Sequence, residues 1–475
     1  MLLLSLLLCT LIVPFNAFWQ TTPNKLEVPS VKLPGTDEAF TPYAPRVTPL
    51  TTDTFILSYL NSTTARPICA FAQVLPYKDL SSTSASPFLL TPAIVSAQSI
   101  RDYDILPLPD GFAVAYTAEA TTSSGAINTE IRLQLFSLEA VPISPAVRIH
   151  GRNPGEGDQH GAVVAQAVDA SMLFVVYSAR LNNVDTLMLR RIRLDGGELL
   201  PVAGEPADII RGTLAGAVAT KPLTSAIVSR AGGVETLIVS YVTSQNQIML
   251  ALVDTEGTRL SEKEVHLEGL QGLQKYHELW LLSPSPDIVA VVGHIDLQQI
   301  GPVSTVLSAT YSVVVDTNGY VLLDRNTDPT VHNKDEDLRS NLYKSVTAMA
   351  HDGFVVLGLS RRSADDPRML AKFFQPIDRE MREVVTVDAD VSVECESVQV
   401  ALLAAWRLVL ACERPGAAGP ELHTFKNAAI EPQPTRTWTS TPTAPVTLTP
   451  VPLPPPSPRI TPPTATPTPS LQVTP

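Results

Sequence analysis

The sequence predicts an all-β fold, a β-propeller of about seven four-stranded blades, on three observations. A strand motif returns along most of the chain, and the better copies are followed by an alternating strand and a glycine-bearing turn. No stretch longer than about twelve residues has helical periodicity. The motif is clearest in Phe55-Ile-Leu-Ser-Tyr59, Phe112-Ala-Val-Ala-Tyr116, Phe174-Val-Val-Tyr177 and Leu237-Ile-Val-Ser-Tyr241. Ile288-Val-Ala-Val-Val292, Phe354-Val-Val-Leu-Gly358 and Leu408-Val-Leu-Ala-Cys412 are weaker copies. Their first residues lie about 59 positions apart on average, a period that marks stacked units which cover one another's faces. Six or eight blades remain alternatives, because the first and last units are weak and such rings often close with strands from both termini.

One unit shows the scheme in full. Val163-Val-Ala-Gln-Ala-Val168 reads as a first strand and Leu173-Phe-Val-Val-Tyr-Ser178 as a second. Thr186 to Arg193 alternates at its end as a half-buried third strand should. Asp195-Gly196-Gly197 then turns the chain into Leu199-Leu-Pro-Val202. The next unit repeats this with Ala226-Ile-Val228, Leu237 to Tyr241, Gln247 to Val253 and the turn Asp254-Thr-Glu-Gly257, and Asp316-Thr-Asn-Gly319 holds the same slot in the fifth. Glycine recurs there because tight hairpin turns need a residue with positive φ. The tyrosines that end the anchor strands, Tyr59, Tyr116, Tyr177 and Tyr241, are expected to pack between blades rather than to form a binding stripe.

The Phe/Leu-x-Val-x-Tyr strand followed by an Asp-x-x-Gly turn resembles the divergent β-propeller repeats of secreted proteins. The resemblance covers about residues 40–428 and implies architecture, not activity. Trp-Asp dipeptides at blade ends, paired-glycine kelch strands and the Ser-x-Asp-x-Gly-x-Thr-Trp boxes of sialidases are absent from the sequence.

The formal charge of the 475-residue chain is −13, and about −15 for the globular part once Arg436 and Arg459 of the tail are set aside. Phosphate backbones bind through Lys and Arg, so nucleic acid is excluded as a partner, and an anionic membrane surface fits equally badly. An acidic surface suits divalent cations or a basic partner.

Both ends differ from the middle. Residues 1–18 form an apolar leader whose Leu2–Val13 core has signal-peptide length and is short for a membrane span. Export to a secreted or extracellular-surface location is the expectation, although no Lys or Arg precedes the run and Phe15 is bulky for a cleavage region. Residues 24–431 are assigned to the propeller and 432–475 to a disordered stalk. Pro fills about a third of that tail and Thr about a quarter, a composition that excludes packed helix or sheet and favours polyproline II. Thr461-Pro-Pro-Thr-Ala-Thr-Pro-Thr-Pro469 resembles the Thr-Pro stalks of cell-surface proteins, which are often O-glycosylated. No integral membrane domain is expected beyond the leader. Asn61-Ser62-Thr63 is a sequon for N-glycosylation at Asn61. Of the cysteines, Cys395 and Cys412 fall on adjacent segments of the last repeat and are a candidate disulfide, with two buried thiols as the competing reading. Cys69 would then keep its thiol.

Catalytic motifs are lacking: the sequence has no Gly-x-Ser-x-Gly, no phosphate-binding loop and no His-Glu-x-x-His. His277-Glu278 starts the last pattern, but Trp280-Leu281 stand where its second His belongs, so the pair reads as part of a strand. One constellation recurs, with acidic residues 12 to 19 positions ahead of several anchors. Asp37 and Glu38, Glu156 and Asp158 with His160, Asp335, Glu336 and Asp337, and Glu394 with Glu396 all fall on loops that lead into a blade's first strand. Carboxylates gathered there would hold Ca2+ through oxygen ligands, a basic protein or a glycan. Glu156, Asp158 and His160 would alternatively suit a transition metal, and paired carboxylates would suit glycoside hydrolysis. Solvated loops are the plain alternative. The expected function is therefore a non-enzymatic, surface-displayed propeller that binds a protein or glycan ligand. The alternatives are a secreted carbohydrate-active hydrolase or lyase using these carboxylates, or a structural spacer.

Overall fold

In a computed structural model, the described residues are the strands from Trp19 to Asn427 and the turns that join them. Residues 1–18, 428–475 and several interstrand loops, among them 33–38, 150–158, 332–342 and 390–396, lie outside that set. The chain divides into two compact units, Met1–Glu431 and Pro432–Pro475; the leader and the tail lie outside the described residues.

Every described element is a strand, and the strands form seven antiparallel sheets. Sheet 1 opens with Ala39–Pro49 and continues through Thr54–Ser62, Ala70–Pro76 and Phe88–Leu89. Sheet 2 follows with Ile100–Leu108, Gly111–Thr121, Ile127–Ser137 and Val147–Arg148. Sheet 3 has Gln159–Gln166, Met172–Leu181, Val184–Asp195 and Glu198–Pro201, with Ala207–Arg211 also paired to its third strand. Sheet 4 is Thr224–Ala231, Val234–Val242, Ile248–Asp254 and Arg259–Val265. Sheets 5 and 6 begin at Leu273–Ser285 and Tyr343–Met349. Sheet 7 contains Ser397–Ala404, Arg407–Glu413 and Glu421–Asn427, and its fourth strand is Trp19–Glu27 from the other end of the chain.

The first strand of each sheet lies beside the first strands of the sheets before and after it. The series closes, because Ser397–Ala404 of sheet 7 lies beside Ala39–Pro49 of sheet 1. The first strands are therefore the inner strands of a ring. The fold is a β-propeller. Strands 19–27 and 421–427 close it with the pairs Trp19↔Asn427 through Glu27↔Glu421, and the register slips between Thr21 and Lys25, where Pro23 has no amide to donate.

Two apolar faces on the second strands of sheets 1 to 3 explain the motif. Phe55, Leu57 and Tyr59 pack against Ala401, Val409, Ala411 and Leu422 of sheet 7, while Ile56 turns to Phe112, Val114 and Tyr116 of sheet 2. Ala113 and Ala115 face Leu173, Val175 and Tyr177 of sheet 3, whose Phe174 and Val176 face Leu237, Val239 and Tyr241 of sheet 4. Strands buried on both faces carry continuous apolar runs rather than strict alternation. The four anchor tyrosines are fully buried within this stack, as their sequence positions predict. Burial pushes the Tyr116 phenol up to about 12, partly offset by the Arg132 guanidinium, and also pushes Tyr59 and Tyr241 upward.

Candidate functional site

Within each sheet the inner strand starts at the same end of the ring, called here the upper end. Five of the inner strands slip register near that end: between Tyr43 and Arg46, Ile100 and Asp102, His160 and Val163, Tyr276 and Glu278, and Tyr343 and Ser345. A bulge leaves a backbone group unpaired, bends the strand and re-aims its side chains, which is why bulges concentrate beside sites. Ala44 and Gly161 sit in two of these slips with φ of 50° and 61°.

Carboxylates from the preceding sheet take up the amides so released. The Gly161 amide donates to Asp102 Oδ2 at 3.2 Å, and the Ala44 amide donates to Glu413 Oε2 at 3.3 Å. Asp102 is buried and also accepts from the Thr117 hydroxyl at 2.7 Å, while Asp104 accepts from the Val164 amide at 2.9 Å. Arg46 donates to the Tyr103 carbonyl oxygen at 2.5 Å, with its guanidinium 4.8 Å from the Tyr103 ring centroid. Arg407 donates to the Thr52 carbonyl oxygen at 2.7 Å, pairs with Asp53 and lies 5.2 Å from the Tyr77 ring centroid. Sequence reasoning missed these residues. A charged residue inside a strand, as in Asp102-Tyr103-Asp104, is the one local signal they give.

Of the candidates named from sequence, His160 is described. It is the second residue of sheet 3's inner strand and 7% exposed, and its carbonyl oxygen accepts from the Ser178 hydroxyl at 3.2 Å. Among the described residues, no three His, Cys, Asp or Glu converge as a metal-holding group. Asp37, Glu38, Glu156, Asp158, Asp335, Glu336, Asp337, Glu394, Glu396 and Cys395 lie outside the described residues. Their distance along the chain from the inner strands is nonetheless short. Glu38 is one residue from Ala39, Asp158 one from Gln159, Glu396 one from Ser397, and Asp337 six from Tyr343.

The acidic starts are not spread evenly around the ring. Sheets 5, 6, 7, 1, 2 and 3 are consecutive neighbours, and all have acidic residues at or ahead of their inner strands, with Asp102 doing so in sheet 2. Sheet 5 has Glu268 five residues ahead of Leu273, and sheet 4 is instead approached through Lys221-Pro222-Leu223. In sheet 1 the two-residue strand Val31–Lys32 pairs with Ala39 and Phe40 on the edge away from Thr54–Ser62, the edge that faces the inside of the ring.

Cys412 is disulfide-bonded, with its partner outside the described residues. Cys69 is half-buried, and burial pushes its thiol upward. Asn61 lies on the strand Thr54–Ser62, opposite Pro42. Among the described residues no helix is long and apolar enough to cross a membrane.

No protein-family model matches the chain, and no curated protein matches it. Solved structures do resemble it in fold. A Hadza microbial sialidase is 10% identical over 79% of this chain and 77% of its own, with a TM-score of 0.40. The Bombyx mori GH32 β-fructofuranosidase BmSUC1 is 12% identical over 81% of this chain and 90% of its own, with a TM-score of 0.34. A thermostable family-43 glycoside hydrolase is 14% identical over 66% of this chain and 97% of its own, also at 0.34. At such identities and scores no residue and no activity transfers to this chain.

Proposed function

We propose that this propeller is exported and engages a carbohydrate at its upper end, with Glu38 and Glu396 acting on the ligand as a carboxylate pair. One observation carries the reading. The inner strands of sheets 7 and 1 are neighbours in the ring, and each begins one residue after a glutamate. Most glycosidases cleave their bond with two flanking carboxyl groups, one to protonate the leaving oxygen and the other to attack the sugar or activate water. Sugar hydroxyls are donors that match carboxylate acceptors, whereas the −13 charge of the chain disfavours an anionic polymer as ligand. Hydrolysis is placed ahead of bare binding because these two glutamates directly precede neighbouring inner strands in the sequence.

A second reading is a non-enzymatic module for a glycan, a basic protein or Ca2+. The use of Asp102, Asp104 and Glu413 as acceptors for backbone amides favours it, since in these cases carboxylates serve architecture.

The test incubates the full chain with a panel of aryl glycosides and oligosaccharides and reads released reducing ends. Glu38→Gln and Glu396→Gln are each expected to lower turnover by about 100-fold or more without shifting the melting temperature. A glycan that raises the melting temperature but is not cleaved would move the assignment to the binding module. If no carbohydrate is bound or cleaved, the reading fails.

A further inference from the structure

Past Ser137 the chain turns and runs back along the outer edge of sheet 2, with Phe136 opposite Pro142. The Ser137 amide donates to the Val141 carbonyl oxygen at 2.9 Å, and the Ile143 amide donates to the Leu135 carbonyl oxygen at 3.0 Å. These bonds set Val141 opposite Ser137 and Ile143 opposite Leu135. Opposed residues of an antiparallel pair share a face, so Val141 and Ile143 stand on the face of Leu133 and Leu135. That face looks toward sheet 3. Leu133 and Leu135 pack with Leu173, Val175 and Leu199 of that sheet, and Val147 and Leu194 lie partly buried at the margin of the cluster.

Val141 and Ile143 carry this seam out into solvent. They are 57% and 50% exposed, two of the three large apolar side chains open to solvent among the described residues. Single exposed apolar residues are ordinary, whereas a pair that extends a core seam to the surface marks a contact site. The rim is acidic. Glu139 lies two residues before Val141, and Asp195 and Glu198 face each other in the hairpin between Leu194 and Leu199; all three are exposed. The nearby cations are placed elsewhere. Arg193 shares the face of Met172 toward sheet 4 and comes within 3.9 Å of Asp195, Arg148 pairs with Glu130 on the face toward sheet 1, and Arg190 is half-buried opposite Val175. Nor does the edge invite another strand, because Pro142 has no amide to offer beyond the sheet. A partner must read this surface through side chains.

We propose that the outer seam between sheets 2 and 3 is a docking surface for a partner-protein segment that carries an apolar anchor flanked by lysine or arginine. The anchor covers Val141 and Ile143, and its cations meet Glu139, Asp195 and Glu198. The apolar contact holds the complex, while the complementary charge speeds encounter and turns acidic partners away. The surface shares no residue with the acidic loops ahead of the inner strands, so it stands apart from the carbohydrate reading.

The test selects a phage-displayed random peptide library on the immobilised full chain, then titrates the enriched peptides, dye-labelled, by fluorescence anisotropy. Peptides that join Leu, Ile, Val or Phe to Lys or Arg are expected, with affinity falling as salt rises. The double variant Val141→Ser, Ile143→Ser should weaken their binding about 10-fold or more. Its melting temperature should stay unchanged, since both side chains are at the surface; if it does not, Val141→Thr, Ile143→Thr takes its place. The triple variant Glu139→Gln, Asp195→Asn, Glu198→Gln should bind more weakly and lose most of the salt dependence. No enrichment, enriched peptides without cations, or peptides that bind the double variant as tightly as the parent chain would overturn the proposal. Self-association of the chain that the double variant abolishes would overturn it too, by assigning the surface to a second copy. A failed glycan assay changes none of these outcomes.

Discussion

The backbone amide of Gly161 donates to Asp102 Oδ2 across two neighbouring sheets. The bulge at Gly161 removes the amide from its own sheet's ladder, and a buried donor without a partner is costly. Asp102 supplies the acceptor from the next inner strand while its other oxygen holds the Thr117 hydroxyl. Asp102→Ala is expected to cost about 3 kcal/mol, since it leaves a buried amide and a hydroxyl unsatisfied. Asp102→Asn keeps one acceptor and should cost clearly less. Urea titration of the two variants checks the order; equal midpoints would show that the inter-sheet bond contributes nothing.

Arg407 performs a related task where the ring closes. Its guanidinium reaches the Thr52 carbonyl oxygen and Asp53 on sheet 1 and covers the Tyr77 ring, whose hydroxyl donates to the Phe425 carbonyl oxygen of sheet 7. Lysine has neither the planar fork nor the flat face, so Arg407→Lys should behave almost as badly as Arg407→Ala. Hydrogen exchange should quicken in Ser397–Ala404 and Ala39–Pro49 before it does in sheet 3. A uniform change across all sheets would contradict a local seam.

Alkaline pH should destabilise the domain through its buried tyrosines. A free tyrosine ionises near 10, whereas burial holds the Tyr116 phenol to about 12. Between those values the unfolded chain has released a proton that the folded chain keeps, so stability is intact below about 10 and is lost as pH rises through about 12. Phenolate absorbance from the buried tyrosines should appear together with unfolding, and Tyr116→Phe should flatten the decline. Ionisation of all 11 tyrosines near pH 10 with the fold intact would refute this.

Two glycines separate steric from conformational demand. A Cβ at Gly111 would collide with the backbone carbonyl of Phe136 on the paired strand, so Gly111→Ala is expected to abolish or severely reduce folded protein. Gly196 has open space around it but a φ of +57°, so Gly196→Ala should cost only about 1 kcal/mol. Soluble yield and denaturant midpoints distinguish the two; similar losses would show that the contact at Gly111 relaxes.

The repeating interior was legible because its signal is local. Phe112 to Tyr116 is apolar at every position because both its faces are buried, and Asp195-Gly196-Gly197 turns because φ is positive at both glycines, 57° and 92°. The ring's closure was not legible. Trp19–Glu27 is polar, contains Pro23 and lacks alternation, and it becomes a strand through partners about 400 residues away. The same holds for Asp102 with Gly161 and for Arg407 with Asp53, whose pairing depends on which sheets adjoin. The acidic residues could be assigned from sequence to loops ahead of inner strands, but Glu38, Asp158 and Glu396 lie outside the described residues. Which carboxylates meet is set by ring order, and no local pattern encodes that order.

The arrangement of the closing strands also governs how the molecule responds to mechanical load. Tension applied between residue 18 and residue 428 pulls on neighbouring ends of two antiparallel strands, at Trp19 and Asn427. In that direction the bonds open one after another, as a zipper does, rather than sharing the force in shear. A pull on both termini would therefore peel away the first strand and breach the ring at sheet 7, whereas a pull on the tail alone would spare that pair from being drawn apart.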